Sequence, residues 1–406
     1  MKTIELISYG AYWLSTSLAR PVRRTGVAEL PLHAGHVPAW LITRMIRLSR
    51  ALIAVLVEEF GTEEVLLRLA DPLWFQALSN VIGMDWDSSG STTVTCGVLR
   101  QALADGELGI LVAGGKGARS RRTPAELEEI GRQFGLGEDK IRELQRTSRL
   151  VAKVDNAAVQ DGYQLYHHAM FVDREGRWAI VQQGMRPEQR VARRYHWVSE
   201  RVVSFVVEPH TGVAGMRHSS ILNMVARESQ PVQRLVLDLV TERKLAKDWA
   251  RVAAAARGAR PLIAYVEGED LPQFRGRVIP ELPRGVWERI YGAEPDTFED
   301  LLLVPGVGPA VVRALALISE LIYDTPPSRR DLVSHPFDPF RYSFAIGGKD
   351  GVPFPVDPKV VDEVIAQLEE AIEAARLGRK DKLRALERLR GLVRGWRYPS
   401  HLKRPT

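Results

Sequence analysis

The stretch YQLYHHAMFVDREGRWAIVQQGM, residues 163–185, constrains the fold more than any other part of the chain. Two runs rich in β-branched and aromatic residues flank Asp173-Arg174-Glu175-Gly176, and such runs around a short turn read as a β-hairpin. Side chains alternate along a strand. Tyr166 and His168 are therefore expected on one face, Leu165 and His167 on the other, with Gln182 and Gln183 split in the same way. A shorter strand is expected in LGILVAGGKG, before a glycine-rich turn. Most of the remaining chain has helical spacing. LITRMIRLSRALIAVLVEEFG reads as an amphipathic helix ending at Gly61, and Thr62 is a good N-cap with Glu63 and Glu64 in the next first turn. RPEQRVARRYHWVSE is expected to return to helix, with Arg190, Arg193 and Arg194 close together. From about residue 217 the chain reads as mostly helical, ending in a helical pair joined at Gly378. The expected class is a mostly helical α/β protein with a central β-hairpin or small sheet and an all-α C-terminal region.

At 406 residues, two or three domains are expected. Residues 1–22 read as an extension outside any domain, 23–215 as an α/β domain carrying the hairpin, and 216–406 as a mostly helical domain. No apolar run approaches the roughly 20 residues that span a bilayer. The single cysteine, Cys96, excludes an internal disulfide and a Cys-based zinc cage, in keeping with a reducing cytoplasm. The net charge of +6, with a pI near 9.4, suits a polyanionic partner. Heat adaptation or genomic composition accounts for it equally well.

Around the hairpin the sequence crowds Asp155, Asp161, His167, His168, Gln182, Gln183, Arg193 and Arg194 into a short span. Asp155, Asp161 and a histidine could hold a divalent metal that activates water beside a phosphodiester. The alternative is a polar, hydrogen-bonded structural surface. Two further segments suit phosphate. MDWDSSGSTTVTCG sets hydroxyl residues before a helix start, and helix N-termini attract anions. AGGKGARSRR joins small residues to Lys116 and three more basic positions. Ordinary capping and a solvated basic loop are the plain readings of these two segments.

The segment LLLVPGVGPAVVRALALISELI, from residue 301, ends one helix at Pro305 and starts another at Pro309. Gly306 and Gly308 let the main chain approach a phosphate closely, and the next helix opens with unpaired amides. This stretch resembles the DNA-binding helix-hairpin-helix of repair glycosylases. The resemblance implies phosphate contacts from Gly306, Val307, Gly308 and Arg313. In that superfamily a later aspartate opening a helix is catalytic, and Asp357 of FPVDPKVV stands at the matching position. Ala310 and Val311 depart from the usual residues after the second glycine. A wider resemblance runs from about Arg24, through RTGVAELPLHAGHVPAWL, DPLWFQAL, AGGKG, KVDNAAVQDGYQLYHHAMFV, WAIVQQGM, RRYHW and IGGKDGVPFPVDPKV. On these the chain is similar to an uncharacterised archaeal and bacterial family, domain of unknown function 763, which implies no activity.

The expected function is nucleic-acid binding, DNA first, in processing or repair. A hydrolase role would take one of two forms: a metal-dependent nuclease at Asp155, Asp161, His167 and His168, or a glycosylase at Asp357. The alternatives are a non-catalytic DNA- or RNA-binding protein, or an enzyme on a nucleotide or other phosphorylated small molecule with Lys116, Arg193 and Arg194 as anion clamps.

Overall fold

A computed structural model describes residues 30–31, 37–84, 89–256, 279–334, 356–359, 361–362 and 365–366. Residues 1–22 and the helical pair around Gly378 lie outside those residues.

The hairpin forms as expected, from β4 (Gln164–Asp173) and β5 (Trp178–Arg186). Asp173 builds the turn. Its Oδ1 accepts from the amides of Glu175 (3.1 Å) and Arg177 (2.9 Å), and its Oδ2 accepts from Arg177 Nε at 2.7 Å. The hairpin is the middle of a larger antiparallel sheet. β2 (Ile110–Lys116) pairs with β4, and β6 (Val191–Val198) pairs with β5. β1 (Leu30–Pro31) and β7 (Gly212–Ala214) both pair with β6. The order is β1-β6-β5-β4-β2. Two short strands, β3 (Val159–Gln160) and β8 (Leu222–Asn223), make a separate ladder.

Helices cover both faces of the large sheet. On one face lie α1 (Ala39–Leu69), α2 (Pro72–Val81) and α3 (Ser89–Ala102), packed through Leu48, Leu66, Phe75 and Leu99 onto Val112, Phe171 and Val181. α1 breaks helical geometry at Gly61, where the sequence places a helix end. The Thr62 hydroxyl donates to Asp173 Oδ2 (3.0 Å), which ties this helix to the hairpin turn. On the other face lie α4 (Thr123–Phe134), α5 (Glu138–Lys153), α6 (Gln230–Thr241), α7 (Leu245–Ala256), α8 (Val286–Ala293), α9 (Phe298–Leu303) and α10 (Pro309–Ile322). Leu144, Val236, Ile290, Leu301 and Ile318 share a core there with Met170, Ile180 and Trp197. That core takes side chains from both sides of residue 216.

Two local expectations change. RVARRYHWV is a strand, not a helix. Its arginines at i, i+3 and i+4 imitate a helical stripe, yet both faces of β6 are buried, so no apolar alternation marks it as a strand. The register of β4 also shifts at a bulge between Leu165 and His167. A bulge adds one residue and turns the side chains before it. Tyr166 thereby joins His167 and Gln183 on the α1–α3 face rather than His168 on the other.

Gly114 sets the approach of the edge strand β2. Its φ is +86°, and a Cβ there would lie 2.2 Å from the carbonyl oxygen of His168. Gly114→Ala is expected to cost about 2–4 kcal/mol through backbone strain and overpacking. Urea denaturation checks this, with a lower midpoint at an unchanged slope.

Candidate functional site

Two rows of polar side chains cross the sheet, one on each face. On the α4–α10 face the row pairs His168 of β4 with Gln182 of β5 and Tyr195 of β6. His168 Nδ1 meets Gln182 Oε1 at 2.8 Å, and Gln182 Nε2 donates to Asp155 Oδ2 at 2.5 Å. The amide must present its oxygen to the histidine, so His168 carries its proton on Nδ1 and accepts at Nε2 from Ser148 Oγ, 2.9 Å away. Burial holds the His168 pKa below its ordinary value, against the opposing pull of Gln182 and Asp155. Asp155 sits in a π turn, Val154–Ala158, that closes α5. Such turns often mark functional positions. The same carboxylate accepts from Trp197 Nε1 (3.0 Å) and contacts His210 Nε2 (2.5 Å). Ser148 and His168 have the spacing of a nucleophile and its base. However, Ser148 is only 3% exposed, so no substrate reaches it in this conformation.

Next to this row Arg193 spans two carboxylates. Nη1 donates to Asp161 Oδ2 at 2.8 Å, and Nη2 to Asp331 Oδ2 at 2.7 Å. Tyr195 Oη also donates to Asp161, at 2.6 Å. Burial opposes the Arg193 charge, but Asp161 and Asp331 outweigh it and raise the pKa. The Tyr195 phenol is pushed up by burial and by Asp161, and stays protonated. Asp155 and Asp161 therefore spend their lone pairs on protein donors. Among the described residues, no group of three or more His, Cys, Asp or Glu side chains is placed to hold a metal ion.

On the α1–α3 face the row is Lys116–His167–Gln183–Arg194, one residue from each of β2, β4, β5 and β6. Gln183 is clamped to the first turn of α3. Its Nε2 donates to the Ser89 carbonyl (2.9 Å) and to Tyr166 Oη, and its Oε1 accepts from Thr92 Oγ1. Arg194 donates to His196 Nε2 (2.9 Å), Gln76 Oε1 (3.2 Å) and Thr92 Oγ1 (3.3 Å), and stacks 4.8 Å over Phe75. His167 differs from its neighbours. It is 1% exposed, and neither ring nitrogen has a hydrogen-bond partner. Burial, then the neighbouring His168 and Lys116, push its pKa down to about 3.

The turn Val304–Gly308 between α9 and α10 stands apart from both rows. Val307 is buried, whereas Pro305, Gly306 and Pro309 are exposed. Lys153, at the end of α5, donates from Nζ to the Val307 carbonyl. Arg289 of α8 donates from Nε to the Pro305 carbonyl (2.9 Å). Arg313 of α10 donates from Nε to Gln160 Oε1 (3.0 Å), and Gln160 Nε2 reaches the Pro309 carbonyl (2.8 Å). Asp357 lies elsewhere. Its Oδ1 accepts from the Lys359 amide (2.9 Å), while Asp362 pairs with Arg44 of α1 (2.8 Å). Val361 and Ile365 are buried in the α1–α3 core. The aspartate and the glycine turn thus pack against opposite faces of the sheet, and the structure does not bring them into one cleft.

Several residues in these networks escaped the sequence reading: Ser148, Tyr195, Trp197, His210 and Asp331. They come from helices, strands and loops far apart in the chain, and nothing local distinguishes them. Asp155 and Asp161 were visible because DNAAVQD interrupts a helical pattern with two acids.

The model of one family, described as a protein of unknown function (DUF763), matches residues 26–356. The chain belongs to the DUF763 family. No curated protein and no solved structure matches this member of it. No described helix is long and apolar enough to cross a membrane.

The buried groups predict two solution behaviours. The folded-state pKa of His167 lies below the ordinary 6.5, so the unfolded chain binds more protons between about pH 6.5 and 3. The stabilising contribution of the neutral ring is complete above pH 6.5 and is lost as pH falls, at up to about 1.4 kcal/mol per pH unit. Urea titrations between pH 7 and 4 should show this slope, and His167→Phe should make it shallower, leaving the part due to His168. Asp161→Asn should cost about 3–5 kcal/mol, because it removes a charge that Arg193 needs in a buried setting. Equilibrium denaturation at pH 7 reads that loss.

Proposed function

We propose that this DUF763 protein binds nucleic acid, with DNA as the partner, and that Val304–Gly308 and the start of α10 act as a helix-hairpin-helix grip on the phosphate backbone. One observation carries the reading. A glycine turn exposed at Pro305 and Gly306 leads into a 14-residue helix and is ringed by Lys153, Arg289 and Arg313, which donate to carbonyls and an amide oxygen and make no ion pair among the described residues. The first amides of such a helix have no intrahelical partner and form the positive end of its dipole. Arg149 adds an exposed cation, one helical turn before the half-buried Lys153. Gly308 adopts extended backbone that any residue tolerates, and a Cβ there would meet nothing within 4 Å. Its glycine is therefore not demanded by the fold, and it leaves room for a phosphate against the main chain. Contacts of this kind hold the backbone and read no sequence. DNA processing or repair in the cytoplasm is the setting this fits. The separation of Asp357 from the turn, and the occupied carboxylates of Asp155 and Asp161, favour binding over base excision or metal-dependent cleavage.

Duplex affinity should fall steeply with salt, since each phosphate contact releases counterions. Arg289→Ala with Arg313→Ala should reduce the slope of log affinity against log salt by about 2. Gly308→Val should weaken duplex binding about tenfold, near 1.4 kcal/mol, at an unchanged melting temperature. Fluorescence anisotropy across a salt series measures both. Flat salt dependence, or full affinity in Gly308→Val, would reject the grip and favour a small phosphorylated ligand.

A further inference from the structure

The large sheet has two unlike ends. At the end with the hairpin turn, where β2 and β5 start and β4 and β6 finish, cations are matched by acids. Arg177 pairs with Asp173 (2.7 Å), Glu63 (2.7 Å) and Glu175 (2.9 Å). Arg50 of α1 pairs with Asp105 (2.8 Å) and Glu107 (2.7 Å), just before β2. Antiparallel pairing carries the other strand ends to the far side. There Lys116 closes β2, Gln164 opens β4, Arg186 closes β5 and Val191 opens β6.

That far end is cationic and unpaired. The turn after β2, Gly117–Arg122, folds back on its strand: a Cβ on Gly115 would lie 3.1 Å from Arg119 Cδ. Arg119, Arg121 and Arg122 are exposed in it. Lys116 is exposed, Arg186 is half-buried, and Arg190 is exposed in the turn between β5 and β6. None of these side chains makes a hydrogen bond or an ion pair among the described residues. The carboxylates behind them are already taken, Asp161 by Arg193 (2.8 Å) and Glu126 by Arg100 (2.7 Å). Glu188 is the exposed acid in these turns. Charge of one sign, gathered and uncompensated, favours a polyanion. The cationic end also adjoins the α9–α10 turn. A Cβ on Gly162 would meet Arg186 Cζ at 3.4 Å, and Gln160, two residues earlier, accepts from Arg313 Nε (3.0 Å). Two residues span at most about 7 Å, so Arg186 and Arg313 flank one short segment.

We propose that this end of the sheet is a phosphate-contacting surface for a DNA duplex, continuous with the α9–α10 turn and running past Arg186 to Lys116 and the arginines of Gly117–Arg122. The inference rests on nucleic acid as the partner, as proposed above. A duplex fits better than a single strand, which needs free rings for its bases to stack on. Tyr163 is buried here, and the half-buried Tyr166 has its hydroxyl held by Gln183 and its ring 6.0 Å from the Lys116 ammonium. Strands about 4.8 Å apart place β2 and β6 about 14 Å from each other. A duplex carries one charge per about 1.7 Å of axis, so about eight phosphates fall within that width. Such contacts hold the backbone and read no sequence.

Fluorescence anisotropy of a labelled duplex over a salt series tests this with the full chain. Lys116→Ala combined with Arg121→Ala and Arg122→Ala should keep the melting temperature, because these side chains are exposed and bond nothing. The same triple variant should lower the slope of log affinity against log salt by about 3. Arg121→Lys with Arg122→Lys should keep the slope, since charge is what the backbone contacts need. Arg201→Ala, at the opposite end of the sheet, should leave it unchanged. The two readings fail separately. If the triple variant keeps the full slope while Arg289→Ala with Arg313→Ala lowers it, the grip stands and this surface is overturned. If the triple variant lowers the slope and the Arg289 and Arg313 pair does not, the surface stands and the grip falls. An unchanged slope in both rejects both. Tighter binding of a single strand of equal length, or of phosphatidylserine vesicles, with the same loss in the triple variant, also overturns the proposal.

Discussion

The structure depends on one constraint: a central antiparallel sheet with helices on both faces, whose middle strands nevertheless carry charged and polar side chains. Inside such a sandwich no water satisfies these groups, so each must find a protein partner or cost free energy. The chain meets the constraint with two cross-strand rows. On one face, His168, Gln182 and Asp155 form a hydrogen-bonded line closed by Ser148, Trp197 and His210, next to an Arg193 held between Asp161 and Asp331. On the other, Gln183 and Arg194 are tied to α2 and α3. These networks link segments that are distant in sequence, and they fix how the two helical layers sit on the sheet.

The same accounting separates structural chemistry from chemistry with room to act. A carboxylate that already takes an arginine and a tyrosine, as Asp161 does, has little capacity left for a metal. The groups with unspent capacity lie in two places. One is the rim of the α9–α10 turn, where Lys153, Arg289 and Arg313 donate to carbonyls or an amide oxygen and make no ion pair among the described residues. The other is the β2 edge, where Lys116 and the three arginines of the following turn are exposed.

The hairpin was legible because its signals are local: two β-rich runs, a turn built on Asp173, and alternation. The glycine turn at Val304–Gly308 was legible for the same reason. The strand β6 was not, because alternation disappears when both faces are buried and its arginines fall at helical spacing by accident. The face of Tyr166 was not, because a single-residue bulge reverses every side chain before it, and no residue type in LYHH announces one.

The sequence alone determined the period of most segments, the sign of the charge, the hairpin and the two glycine-rich turns, because these depend on neighbours a few residues apart. Only the tertiary structure decided which polar groups are spent. Asp155 and His168 stand out in the sequence by type and spacing, and only the fold supplies Trp197, His210 and Ser148 as their partners. Asp357 read as the partner of the glycine turn until packing put it across the sheet. His167 and His168 are adjacent in the chain and identical in type. The pleat sends one into a completed network and the other into a position where both nitrogens are unmet, and that difference exists only once the strands have paired.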